Sequence, residues 1–204
     1  MQPLLVATRN ANKTREFRAL LGKDFDVHDL SSFDQIAIPK ESGHTFEENA
    51  IAKAMAVAQD RYLLVVGEDS GLEVDALDRA PGVFSARYGG EDASDKENID
   101  KLLGELTRRN VPLDRRSARF RCDIALVREG QLLGTFEGIV EGSIADHPRG
   151  SLGFGYDPIF IPNGLDQTFG ELPADTKNKI SHRSKAIAAL RAALNKMKRP
   201  SEGT

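Results

Sequence analysis

The chain of 204 residues sets 28 Lys and Arg against 31 Asp and Glu, a formal charge of −3, which excludes the long basic track of a protein that lives on nucleic-acid backbone. Its single cysteine, Cys122, excludes an internal disulfide, and no apolar run approaches the roughly 18 residues that span a bilayer. With no leader-like pattern over residues 1–8, the reading is one folding unit over residues 1–198, a flexible tail over 199–204, and a cytoplasmic protein with neither membrane nor nucleic acid as partner.

The apolar run 4–7, the polar loop 8–13 and the recurrence of Phe17, Leu20 and Leu21 before Gly22 predict strand, loop, helix. Phe25 and Val27 predict a second strand. After a loop through Pro39, Glu41 and Gly43, Thr45-Phe46-Glu47-Glu48 matches a capping box that opens a helix. Phe46, Ala50, Ala54 and Val57 share one face of it, and Asn49 and Lys53 form another, so Lys53 points away from the core.

Residues 63–67 predict a buried strand running into Glu68-Asp69-Ser70-Gly71, which places both carboxylates where a strand ends. A Pro- and Gly-marked loop follows. Ser94-Asp95-Lys96-Glu97 is a second capping box, with Ile99, Leu102, Leu103 and Leu106 as the apolar stripe of its helix. Phe120, Cys122, Ile124 and Leu126 alternate with Arg119, Arg121 and Asp123, and Glu129-Gly130 turns the chain into 132–144, a β-ribbon. Residues 159–161 predict a short strand, 162–179 a long polar loop, and Ser181 the start of a last helix carrying Ile187, Leu190 and Leu194. Strand-helix units mixed with an antiparallel ribbon give an α/β class fold with a mixed sheet.

A loop between a first strand and a first helix presents backbone N–H groups and the positive end of the helix dipole, a natural phosphate cradle. Thr8, Asn10 and Asn12 add donors and Lys13 adds charge. There is no GxxxxGK[ST] sequence, and Asn10 and Asn12 also suit plain capping. Glu68 and Asp69 beside Ser70 and Gly71 suit a hard cation such as Mg²⁺, which takes one or two carboxylates, waters and substrate phosphates, and Glu41 offers a third oxygen ligand. Adjacent acids are equally at home on a solvated turn, so their neighbours must decide.

Lys13, Lys53, Lys177 and Arg183 supply cations for an anionic ligand. The glycine-flanked Phe154-Gly155-Tyr156-Asp157 places two rings where one can stack on a nucleobase or anchor packing. His182 and Arg183, at a helix start, are donors suited to a base carbonyl oxygen. Cys122 is in phase with Phe120 and Ile124 and reads as core. His28, His44 and His147 make no zinc-ligand spacing, and Ser70 has no recognisable triad motif.

Six blocks in order carry a family resemblance: residues 7–13; Glu41-Ser42-Gly43 with Thr45-Phe46-Glu47-Glu48-Asn49-Ala50 and Lys53-Ala54; Gly67-Glu68-Asp69-Ser70-Gly71-Leu72; Pro81-Gly82-Val83 through Ser85-Ala86-Arg87-Tyr88; residues 153–160; and Lys177-Asn178 with Ser181-His182-Arg183. Over residues 5–185 the chain resembles the inosine triphosphate pyrophosphatase family, hydrolases that cut unusual purine nucleoside triphosphates (ITP, dITP, XTP) to monophosphate and pyrophosphate and so clear them from the nucleotide pool. The resemblance implies an elongated mixed α/β fold of two lobes with a central cleft, a homodimer, and Mg²⁺ as cofactor.

Residue by residue, the resemblance puts the triphosphate on Thr8, Arg9, Asn10, Ala11, Asn12 and Lys13, with Lys53 and Lys177 as further phosphate contacts. Glu41 and Asp69 hold the metal, and Asp69 is also the proton acceptor. Ser70 touches substrate, Phe154, Gly155, Tyr156 and Asp157 cover the base, and Lys177, His182 and Arg183 complete the pocket. Family members often carry two aspartates at the acidic turn; here the first is Glu68, which leaves open whether Asp69 or Glu68 receives the proton. The ribbon near Phe120–Phe136 reads as part of the second lobe or the dimer contact. Rival readings are a nucleotide sensor without turnover, an orthophosphate-releasing phosphatase and an RNA-binding module, which the acidic charge disfavours.

Overall fold

Period-two alternation builds the sheet, because successive strand side chains leave on opposite faces. In a computed structural model that describes residues 1–33, 36, 39, 41–58 and 64–198, the elements are β1 (Gln2–Val6), α1 (Ala11–Leu21), β2 (Phe25–Asp29), α2 (Phe46–Ala58), β3 (Leu64–Val74), α3 (Asp95–Arg108), β4 (Ser117–Arg128), β5 (Gln131–Ile144), β6 (Phe160–Pro162), α4 (Ala174–Ile180) and α5 (His182–Lys198). Leu63, placed in a strand by the sequence, and the tail 199–204 lie outside the described residues.

One six-stranded sheet has the order β2-β1-β3-β4-β5-β6. β1 runs parallel to β2 and β3, and the pairs from β3 onward are antiparallel. On one face Leu4, Val6, Leu64, Val66, Cys122, Ile124 and Leu126 pack against Phe17 and Leu21 of α1 and Ile187, Leu190 and Leu194 of α5. On the other, Leu5, Val65, Ala125 and Val127 meet Ala50, Ala54 and Val57 of α2. A third cluster, at the far end of the sheet, joins Leu72, Val74, Phe120 and Val140 to the α3 stripe and to Phe160 and Phe169. The expected α/β fold with a mixed sheet and flanking helices is the one observed.

Two glycines let helices lie directly on strands. A Cβ at Gly67 would stand 2.0 Å from the Ala50 carbonyl oxygen, and one at Gly138 would stand 2.1 Å from that of His182. The first brings α2 down onto β3 and the second brings the start of α5 down onto β5, so both helices deliver polar side chains to the sheet at short range. The second capping box forms as read, with Ser94 and Glu97 each bonding the other's backbone N–H. At α2, Thr45 Oγ1 accepts from Glu48 N at 3.1 Å, but Glu48 reaches back to His44 N rather than to Thr45.

Three sequence expectations change. β3 continues to Val74, paired along its whole length with β4, so Glu68 and Asp69 lie mid-strand; what ends there is β1, whose last residue, Val6, pairs with Val66. The polar segment 162–179 contains α4. The ribbon turns at Glu129 and Gly130, both at positive φ, as a tight hairpin requires, but β4 feeds all three clusters. It is thus the spine of the whole sheet rather than part of one lobe.

Candidate active site

Because Glu68 and Asp69 are consecutive in a strand, their side chains diverge. Glu68 falls on the α1/α5 face. Its Oε2 pairs with Lys13 Nζ at 2.6 Å, and its Oε1 accepts from Arg183 Nη2 at 3.0 Å and Nε at 3.2 Å. Cys122 donates to the same oxygen at 3.4 Å. Burial alone would raise the Glu68 carboxyl; Lys13 and Arg183 override it and hold the group well below the usual carboxylate range. The same burial, with Glu68 beside it, drives the Cys122 thiol upward, consistent with a core residue.

Asp69 falls on the α2 face. Its Oδ1 accepts from Lys53 Nζ at 2.8 Å and its Oδ2 from Asn49 Nδ2 at 2.9 Å. Lys53 leaves the apolar core, as its helical phase requires, yet it is buried: its ammonium also meets Glu41 Oε1 at 2.5 Å and the Glu68 carbonyl. Arg87 Nη1 holds the second Glu41 oxygen at 2.7 Å. Burial raises the Asp69 carboxyl, and Glu41 adds to the rise against the pull of Lys53, while Glu41, less buried, is drawn down by Lys53 and Arg87. Glu41 and Asp69 are therefore the carboxylates that converge on one point. Among the described residues no three His, Cys, Asp or Glu side chains do so.

Next to this centre, a cleft is lined by Lys13, Ser70, Phe154, Tyr156, Lys177, His182 and Arg183 among others. Phe154 is half-buried, with Lys177 Nζ 4.9 Å from its ring centre and the Arg183 guanidinium carbon 5.4 Å from it. Tyr156, the other proposed stacking ring, is a buried anchor whose hydroxyl donates to the Ser85 carbonyl at 2.9 Å. Asp157 is buried; its Oδ2 accepts from Lys177 Nζ at 2.5 Å and from Phe154 N at 2.9 Å, which fixes the loop. Gly155 N donates to Asp95 Oδ2 across the cleft at 2.7 Å.

The two residues that open α5 differ. The His182 ring stacks on Phe120 at 4.7 Å, and its buried Nδ1 has no hydrogen-bond partner among the described residues. Burial, then Arg183 and Lys177, keep the imidazole well below its usual pKa and hence neutral. Arg183 is not a free donor: besides Glu68 it bonds Glu16 Oε2 at 2.6 Å and Ser70 Oγ at 2.8 Å, and these carboxylates raise its pKa despite burial.

In the first loop, Asn10 does cap α1: its Oδ1 accepts from Asn12 N at 2.9 Å and Lys13 N at 3.2 Å. Thr8 Oγ1 accepts from Asn10 N. Asn12 Oδ1 accepts from Arg15, and Ala11 is the exposed first residue of the helix. Arg9 is turned to the carbonyls of Phe33 and Ile36 rather than to the cleft. Of this loop, Asn10 and Lys13 line the cleft.

A sequence profile of the Ham1 family matches residues 4–193. The chain belongs to the Ham1 family. Among its relatives, this Ham1 chain is 46% identical over 196 residues to the dITP/XTP pyrophosphatase of Bacillus licheniformis, covering 96% of this chain and 99% of that one. It is 48% identical over 191 residues to the dITP/XTP pyrophosphatase of Bacillus subtilis, with 93% and 96% covered. The structure of a HAM1 protein from Coxiella burnetii superposes with a TM-score of 0.86 at 40% identity, covering 96% of this chain and all of that one.

Four polar residues of this Ham1 chain escaped the sequence reading. Glu16 bonds both Lys177 (3.3 Å) and Arg183 (2.6 Å); its place three residues after Lys13 on one helix face was the available signal. Arg87 was visible only as part of a matching block, and Asn49 only as a neighbour of Lys53. Asp95 was read as part of a helix cap, and nothing local points it at Gly155.

Proposed function

We propose that this Ham1 protein hydrolyses unusual purine nucleoside triphosphates, ITP, dITP and XTP, to the monophosphate and pyrophosphate, removing them from the pool that feeds DNA and RNA. The observation that carries the reading is the pairing of an aromatic-walled, donor-lined cleft with a lysine-bridged carboxylate pair, Glu41 and Asp69, the second of which directly precedes the cleft residue Ser70 in β3. Relatives of nearly equal length bear the name dITP/XTP pyrophosphatase.

Mg²⁺ belongs to this reading. Lys13 is paired with Glu68, Lys53 with Glu41 and Asp69, Lys177 with Asp157 and Glu16, Arg87 with Glu41, and Arg183 with Glu16 and Glu68, so the charges of the centre cancel and a triphosphate brings charge that it does not balance. Glu41 and Asp69 supply hard oxygens that already converge on one ammonium, a donor set suited to Mg²⁺ completed by water and phosphate oxygens. Glu41 and Asp69 would hold it there, and it would supply charge neutralisation to the phosphates and to the pyrophosphate leaving group. A homodimer and a cytoplasmic setting are part of the same proposal; no helix among the described residues is long and apolar enough to cross a membrane.

The chain's own groups then have separate tasks. Asp69 takes the proton of a water whose oxygen bonds the α-phosphorus as the bond to pyrophosphate breaks and the electron pair leaves with that group. Glu68, held ionised between Lys13 and Arg183, is a poor proton acceptor and instead fixes those two cations. Lys13, Lys53 and Lys177 neutralise phosphate oxygens, and Phe154 stacks on the base. His182, with Arg183 beside it already held by Glu68, Glu16 and Ser70, faces a 6-oxo group, whereas the amino group of adenine leaves the imidazole without a partner. Incubation with ITP and Mg²⁺ tests the proposal: IMP and pyrophosphate are expected, and either orthophosphate alone or no product overturns it.

A further inference from the structure

We propose that Asn49 is a positioning residue, clamping the loop that carries Glu41 to Asp69 and fixing the direction in which the Asp69 carboxylate faces; the inference rests on the pyrophosphatase reading above. Asn49 lies in α2 one turn before Lys53 and is 1% exposed. A buried amide is costly unless both of its ends are bonded. Here Oδ1 accepts from Gly43 N at 2.9 Å, and Nδ2 donates to Asp69 Oδ2 at 2.9 Å.

The Gly43 N–H can only donate, so it decides which end of the amide is oxygen and turns the NH₂ group toward Asp69. Asp69 Oδ2 is thereby occupied, and Oδ1 is the oxygen left to face Lys53 and, beyond it, Glu41. The Glu41 loop is pinned twice, by Arg87 on the Glu41 side chain and carbonyl and by Asn49 two residues later. An apolar residue at position 49 would fill the same space and make neither bond. The amide is thus explained by the site it orders rather than by packing.

The test compares Asn49→Ala with Gly43→Ala. The second variant acts from the other side of the clamp: a Cβ there would stand 2.7 Å from Asn49 Oδ1 and 2.9 Å from Glu48 Cβ, while Gly43 is not among the positive-φ glycines. In both variants, kcat for ITP at saturating Mg²⁺ should fall about 10- to 100-fold, the usual consequence of losing a residue behind a ligand, with KM changed less than about threefold. Calorimetric binding of IMP to the metal-free protein should keep its stoichiometry and affinity. In metal-free Asn49→Ala, amide exchange over residues 41–45 should rise about tenfold or more as the loop is released.

A kcat within about twofold of the parent in either variant, or a loss of kcat matched by equal loss of IMP binding, overturns the proposal. If Asn49→Ala does not fold, Gly43→Ala decides alone. If the parent enzyme yields no pyrophosphate from ITP, the function falls, and loop exchange still decides whether the clamp exists.

Discussion

Glu68 and Asp69 are bonded neighbours in β3, yet their carboxylates lie on opposite faces of the sheet, one held by Lys13 and Arg183 and the other by Lys53 and Asn49. Two acids that read as one acidic turn are therefore two sites with different neighbours and opposite displacements of their proton affinity.

Replacing Asp69 with Asn keeps the shape and removes the proton acceptor. ITP hydrolysis should fall by about 10²- to 10⁴-fold, the usual contribution of a positioned base, while IMP binding is retained. Single-turnover kinetics with calorimetry checks this; near-parental kcat in Asp69→Asn would remove the residue from the mechanism.

Glu68→Gln should act on stability and binding instead. It leaves Arg183, 1% exposed, with Glu16 as its remaining carboxylate, and removal of one partner of a buried ion pair costs about 3–5 kcal/mol. Urea unfolding should show a loss near the lower end of that range, because Lys13 can turn to solvent. A variant as stable as the parent would mean that this pair carries no net energy.

Gly67→Ala tests the descent of α2 onto β3. The added Cβ meets backbone, the Ala50 carbonyl oxygen at 2.0 Å and Ala54 N at 2.7 Å, which no rotamer change relieves. Overpacking of about 1–3 kcal/mol and a displaced Lys53 should lower both the melting temperature and kcat; an unchanged melting temperature would contradict the close approach.

His182 gives stability a pH dependence of defined sign. Its folded pKa lies below the unfolded value of about 6.5, so below pH 6.5 the unfolded chain binds a proton that the folded one refuses, and stability falls as pH falls. At pH 5.5 this amounts to at most about 1.4 kcal/mol, the limit for a ring that stays neutral in the fold. His182→Phe removes the titrating group, so its stability relative to the parent should improve by up to that amount between pH 7.5 and 5.5 in urea titrations. A constant gap would show that the imidazole is protonated in place.

Much of the site was legible because it consists of local patterns. The Asn10 cap, the Ser94 box, the β4–β5 hairpin turn and the helix opening at His182 each depend on residues within four positions of one another, and each forms as the sequence predicts. Tyr156 and Phe154 were indistinguishable in sequence, since a ring's role depends on whether Ser85, 71 residues away, receives its hydroxyl. Arg9, in the same polar loop as Asn10 and Lys13, turns to Phe33 and Ile36 for a reason that lies outside its own segment.

What the sequence by itself determined is the set of elements, the residues able to carry chemistry, and the family, since capping, alternation and motif order are properties of short stretches of chain. What only the tertiary structure decided is which charges meet. The continuation of β3 past the end of β1 sends Glu68 to α1 and α5 and Asp69 to α2, and Gly67 and Gly138 bring α2 and α5 within bonding distance. Ion pairs such as Glu16 with Arg183, 167 residues apart, exist because packing places their elements side by side, and no local pattern encodes that meeting.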